Sequence, residues 1–260
     1  MTQVVAPAVE RRHGPAYFWR SYRMMVRYEV LDLRLYLMMA LLIQTLMGAG
    51  MAVMYGFYLG DLSAPARAFL VSGIPALALF PIGFLMVPSA ISESKLAETY
   101  DYLWSLPVPR LASAAASFTV FTSLGIPGTA LAVWVSMNVY EVQLTPTWWV
   151  VPAVLLSSAV AVSVGYALGH AVPDPRTTNL ITNMIVFLVL MFTPIVVPID
   201  LFPAWFAAIH RALPFWHMAN ILRDSLLQGV VENVAVSYAV VSVWIVASVA
   251  VTTRIITRRG

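Results

Sequence analysis

SESKLAETYDYLWSLPVPR, Ser92 to Arg110, is a short polar stretch between two long apolar runs. Read as a helix, it places Leu96, Tyr100, Leu103 and Trp104 on one face at i, i+4, i+7 and i+8. Ser94, Glu98, Asp101 and Ser105 fall on the opposite face. Glu93 lies in the first turn, where a negative charge suits the helix dipole. Pro107 ends the helix, because it lacks an amide donor and restricts Leu106 before it. The pattern predicts one helix over 92–106 that lies against a membrane and turns its acidic face to a partner in the cytosol.

The apolar runs on either side set the class. Of 260 residues, 60% are apolar and 10% charged, and the mean hydropathy is +0.82. Soluble domains carry about 25% charged residues, so the chain is read as an all-α, polytopic membrane protein. The absence of cysteine excludes disulfides, thiolate catalysis and cysteine metal sites. Basic residues border apolar spans and form no patch, so no nucleic-acid partner is expected. No removable signal peptide is read in the first 34 residues.

Six spans are expected, at about 35–59, 68–91, 111–137, 148–170, 179–197 and 233–253, in one transmembrane domain over 1–260. Ahead of them, residues 15–34 place Arg20, Arg23 and Arg27 on one side, and Phe18, Tyr22, Met25 and Glu29 on another. This predicts an amphipathic interfacial helix. Between the fifth and sixth spans, 198–229 is semi-polar and rich in proline and aromatics. Its apolar piece, Pro203 to Leu213, covers only about 16 Å as a helix, half a hydrocarbon core. A second short helix over 215–227 completes an outer re-entrant hairpin, which needs protein or headgroups to satisfy its backbone. Twelve of the fifteen Lys and Arg residues fall on the side of the termini, Ser92–Arg110 and the 171–178 turn. The positive-inside rule then makes both ends and Ser92–Arg110 cytosolic.

No charged residue lies inside the spans as drawn, which argues against a proton- or ion-coupled carrier. The chain has no GxxxxGK[ST] phosphate loop, so energy for transport would have to enter from another protein. Of the polar groups in the spans, Gln44, Asn179 and Asn183 are candidates for lining a path, although bonding between helices is commoner for such groups. Gly48, Gly50, Gly165 and Gly169 suit close helix packing within the chain. His210 and His217 have no third ligand partner, and no metal site is expected.

Three features together resemble the membrane subunit of type-2 ATP-binding-cassette (ABC) exporters. The first is six spans behind an amphipathic N-terminal helix. The second is Glu93 to Arg110, where Thr99, Asp101, Leu103 and Pro107 match the family's coupling stretch, and Glu98 stands where glycine is common. The third is Thr193 to Gly229, with Pro198, Pro203, Trp205, Pro214, Phe215 and Arg223 at the steps of the family's outer hairpin. The resemblance implies a permease without nucleotide-binding motifs or a bound cofactor of its own. ATP and Mg would sit on a separate cytosolic ATPase. A second permease, identical or homologous, would complete the path in the cell membrane, near the first, second and fifth spans. Glu93, Lys95, Glu98, Thr99, Asp101, Leu103, Trp104 and Pro107 would then couple to the ATPase, and the hairpin would shape or gate the exit. An amphipathic drug, lipid or glycan-type cargo is expected. The alternatives are a membrane scaffold docking a cytosolic partner, or an ion-coupled secondary carrier.

Overall fold

A computed structural model describes residues 14–59 and 62–258. Helices account for the regular structure, with no strand among the described residues. In order they are α1 (Pro15–Asp32), α2 (Arg34–Leu59), α3 (Ala64–Phe80), α4 (Val87–Leu96), α5 (Thr99–Ser105), α6 (Arg110–Tyr140), α7 (Val150–Ala171), α8 (Pro175–Phe192), α9 (Ala204–Ala212), α10 (Pro214–Leu226) and α11 (Val234–Arg258). A π-helical turn, Pro81–Met86, joins α3 to α4 without a break. Six helices are long and apolar enough to cross a membrane: α2, the continuous α3–α4, α6, α7, α8 and α11.

The α3–α4 helix is the axis of the bundle. It runs for 33 residues, and 89% of its most apolar window is buried. At ~1.5 Å per residue it is roughly 50 Å long, well beyond the ~30 Å of a hydrocarbon core. The π turn begins at Pro81, whose ring cannot accept a regular α-helical turn before it. Glycine brings α7 against this turn: a Cβ on Gly165 would stand 1.7 Å from the Gly83 carbonyl oxygen. Gly169 meets Ile91 and Pro88 in the same way. The G-x-x-x-G pair therefore packs within the chain, and so does Gly48 against Ala132 and Ala78, whereas Gly50 meets nothing within 4 Å.

Several boundaries differ from the sequence reading. The fifth span begins at Pro175, not Asn179, because Asp174 caps it: its carboxylate accepts from the Thr177 backbone amide at 2.7 Å, and Pro175 takes the first helical position. It ends at Phe192, not Val197, since Pro194 forces Thr193 into an extended conformation. The expected single helix over 92–106 is two helices. α4 carries the second span to Leu96, and Glu98 then takes a left-handed conformation at φ 57° that no helix can continue through.

Side-chain ties gather the basic segments at one end of the bundle. The Tyr17 hydroxyl donates to the Pro107 carbonyl. Lys95 Nζ donates to the carbonyls of Gly169 and Val172, both at 2.7 Å. Arg110 Nη1 reaches the Ile256 carbonyl at 2.8 Å. At the opposite end, the amides of Thr145 and Thr147 donate to the carbonyls of Leu226 and Ser225. α1 lays Ser21 and Met25 against α6 and leaves Arg20, Arg23 and Arg27 exposed, the two-sided pattern read from the sequence.

Candidate functional site

The stretch read as the coupling segment, 93–110, is an exposed corner at the end of α4. Glu93, Leu96, Ala97, Glu98, Tyr102, Ser105 and Pro107 are exposed. Leu96, expected on the packed face, is 65% exposed: it ends α4, and the break at Glu98 puts Tyr100 and Leu103 on a separate helix. Tyr100 and Leu103 stay half-buried, as the apolar face requires. Thr99 opens α5 with its hydroxyl on the Ala97 carbonyl. Lys95 is not part of the outward surface: it is half-buried, and its ammonium closes the C-terminal end of α7. The side chains of Asp101 and Trp104 lie outside the described residues, although their backbone belongs to α5.

The segment 198–229 forms two short helices, as expected, preceded by a 3-10 turn at Ile199–Leu201. Pro198, Pro203 and Trp205 are exposed, while Pro214, Phe215 and Arg223 are buried. Two contacts fix its depth. Trp244 Nε1 donates to the Ala212 carbonyl at 2.9 Å, ten residues into α11 and therefore roughly 15 Å along its axis. Phe215 packs edge-on against Phe80 and Phe84 at the middle of the α3–α4 helix, with ring centroids 5.7 and 5.2 Å away. α10 thus climbs from the middle of the bundle to the end where Leu226 meets Thr145.

Arg223 holds this hairpin in place. It is 1% exposed. Its Nη2 donates to the Ile195 carbonyl at 2.5 Å and its Nη1 to Asn220 Oδ1 at 3.0 Å. The guanidinium lies 3.7 Å from the Phe69 ring centroid. A buried cation without a carboxylate is costly, so a carbonyl, an amide and an aromatic face share the compensation. Gly73, which the sequence reading did not single out, makes the room: a Cβ there would meet Ile195 O at 2.6 Å and Arg223 Nη2 at 2.9 Å. His217 is satisfied internally, with Nε2 on the Arg211 carbonyl and Nδ1 on the Ser237 hydroxyl, both at 2.9 Å.

The three candidate path residues separate. Gln44 is fully buried and donates from Nε2 to the Gly125 carbonyl at 2.7 Å, a bond between α2 and α6. Asn179 is half-buried and accepts from the Ser89 hydroxyl at 3.3 Å, joining α8 to α4. Asn183 alone is exposed, on the α8 face that also presents Leu180, Met184 and Phe187.

Behind the coupling corner lies a cavity of about 420 Å³ that the sequence reading missed. Its walls come from α1, α2, α4, α5, α6, α7 and α11 with the π turn, which explains the miss: Glu29, Ser117, Tyr166 and His170 are brought together only by tertiary packing.

Compared with known proteins, the chain matches the family model described as ABC-2 type transporter over residues 16–227. A search of curated proteins found no match. The match covers most of the chain, and the protein belongs to this family: it is the multi-pass membrane subunit of an ABC transporter, working in a lipid bilayer with an ATPase partner.

Proposed function

We propose that the protein is the permease of an ATP-driven exporter in the cell membrane, with both termini and the 93–110 corner in the cytosol. Two permeases and two ATPase subunits make up the complex, and ATP and Mg are held by the ATPase. The observation that carries this reading is the exposed corner at Glu98, set at the end of the most buried helix and at the end of the bundle where the basic segments collect. An external motor needs such a rigidly based protrusion to push against. Glu93, Glu98, Thr99, Asp101, Leu103, Trp104 and Pro107 belong to this contact, and Lys95 supports it from behind. The depth of Phe215 and the Trp244–Ala212 bond support a re-entrant hairpin at the outer end, where Pro198, Pro203 and Trp205 face outward. The amphipathic α1 and the exposed apolar face of α8 fit an amphipathic cargo and a second permease beside this one.

The test is a charge reversal at the corner. Glu98→Lys with Asp101→Lys is expected to abolish co-purification of the ATPase and substrate export, while membrane insertion and yield stay at the wild-type level. Wild-type ATPase binding and export in the double variant would refute the assignment of the coupling surface.

A further inference from the structure

The cavity behind the coupling corner has its own chemistry. At its floor, Glu29 is half-buried and accepts a hydrogen bond from the Ser117 hydroxyl. No lysine, arginine or histidine pairs with that carboxylate among the described residues. Burial, together with the charge of Asp32, holds its carboxyl above the ordinary range, so the site favours whatever neutralises it. Asp32 and Glu93 add negative charge at the exposed rim. Three carboxylates therefore line the cavity against one guanidinium, Arg110, which has an Nη1 bond to the Ile256 carbonyl.

The remaining walls are aromatic and apolar. Tyr28, Tyr36, Tyr100, Tyr166 and Phe121 line the space, and aromatic faces attract cations, more strongly when water is excluded. The volume falls within the ~300–1,000 Å³ of small-molecule sites. No group of three or more potential metal ligands occurs among the described residues, and an inorganic ion would leave the aromatic wall unused.

We infer that this cavity binds a monovalent organic cation carried on an apolar body, with Glu29 as its counter-ion. The inference rests on the transport reading and names the class of cargo that the permease takes up at its ATPase-facing end. The same chemistry is offered by a free amphiphilic amine and by the ammonium headgroup of a lipid.

The experiment uses the purified full-length chain in a neutral maltoside detergent. Tetraphenylphosphonium and tetraphenylborate, alike in shape and opposite in charge, serve as probes in equilibrium dialysis. The phosphonium is expected to bind saturably and one-to-one, and the borate not at all. Glu29→Gln, nearly isosteric, should weaken phosphonium binding at least tenfold with no fall in melting temperature, and Glu29→Asp should retain part of it. Competition by added phosphatidylethanolamine but not phosphatidylglycerol points to a lipid ammonium as the occupant, and no competition by either points to a free amphiphile. Equal binding of both probes, or undiminished phosphonium binding by Glu29→Gln, overturns the inference. Failure of the transport reading shows up separately, as an ATPase that does not co-purify, and leaves this binding result untouched.

Discussion

Replacing Glu98 by glycine tests the coupling corner at its most constrained residue. At φ 57° the Glu98 Cβ crowds its own backbone, a cost of roughly 1–2 kcal/mol for an L-residue held left-handed. Glycine removes that cost but gives back about 0.5–1 kcal/mol through the greater freedom of the open chain. The Glu98 side chain is exposed, so little packing is lost. The balance favours glycine by about 0.5–1 kcal/mol, and alanine, which keeps the strain, should behave like the wild type. The corner is closed by backbone hydrogen bonds from the amides of Ala97, Glu98 and Tyr102 to the carbonyls of Glu93, Lys95 and Glu98, at 2.9, 3.4 and 3.4 Å. Hydrogen exchange of peptides covering 95–105 reads its local opening directly. At a factor of ten per 1.4 kcal/mol, Glu98→Gly should slow exchange there by roughly two- to fivefold, with no change in α7 or α11. If glycine exchanges as fast as alanine or faster, the left-handed corner is not the resting conformation, and the argument from strain fails.

Other perturbations probe the packing and the charges around this corner. Gly165→Ala puts a methyl group 1.7 Å from the Gly83 carbonyl and should lower the thermal midpoint sharply, at or above the ~1–3 kcal/mol usual for overpacking; Gly50→Ala, with nothing within 4 Å, should be neutral or slightly stabilising. Gln44→Met should leave both stability and export within about 1 kcal/mol of wild type, because the Gly125 carbonyl keeps its bond from Thr129 and the unpartnered Gln44 Oε1 is removed; a large loss of export with intact folding would instead make Gln44 a path residue. Glu29 carries a raised carboxyl value in the folded chain, so the folded state binds its proton more tightly than the unfolded one. Its contribution to stability is therefore greatest below the ordinary value of 4.5 and declines as pH rises through the raised value; melting curves from about pH 4 to about pH 8 should show this slope in the wild type and a flatter profile in Glu29→Gln. Lys95→Met should leave the ATPase bound while lowering the export obtained per ATP hydrolysed, measured in reconstituted vesicles; unchanged stoichiometry would show that Lys95 transmits nothing.

The spans, the two-sided α1 and the helical pair after the fifth span were legible because each rests on a local rule: an apolar run, a 3.6-residue period, a proline between short helices. The charge-bearing segments also meet at one end, as the loop charges implied. The break inside 92–106 was not legible, because Glu98 suits a helix interior by propensity and only its left-handed φ shows otherwise. That left-handed conformation suits glycine, the residue the resemblance leads one to expect at this position. The early start of α8 could have been read from Asp174–Pro175, a cap followed by a proline at the first helical position. Gly73 and the cavity could not: one needs the position of Arg223, the other the convergence of seven helices.

Under the proposed coupling, a push on the corner reaches the bundle behind it through bonds on both sides of Glu98. The left-handed residue lies between two anchors. Before it, Lys95 ties α4 to the last turn of α7 through two carbonyls; after it, the Pro107 carbonyl is held by Tyr17 of α1. A load applied at 97–105 therefore cannot be absorbed by unwinding α4 alone, since that would also break the bonds to Gly169 and Val172. It would pass to α7, whose Gly165 backs directly on the Gly83 carbonyl of the π turn and whose Gly169 packs on Ile91 and Pro88 of α4, and to α1, which carries Glu29 and one wall of the cavity. A longer side chain at any of these contacts would leave slack. In the proposed coupling, their closeness would let the seven-residue helix α5 act on the cavity behind it.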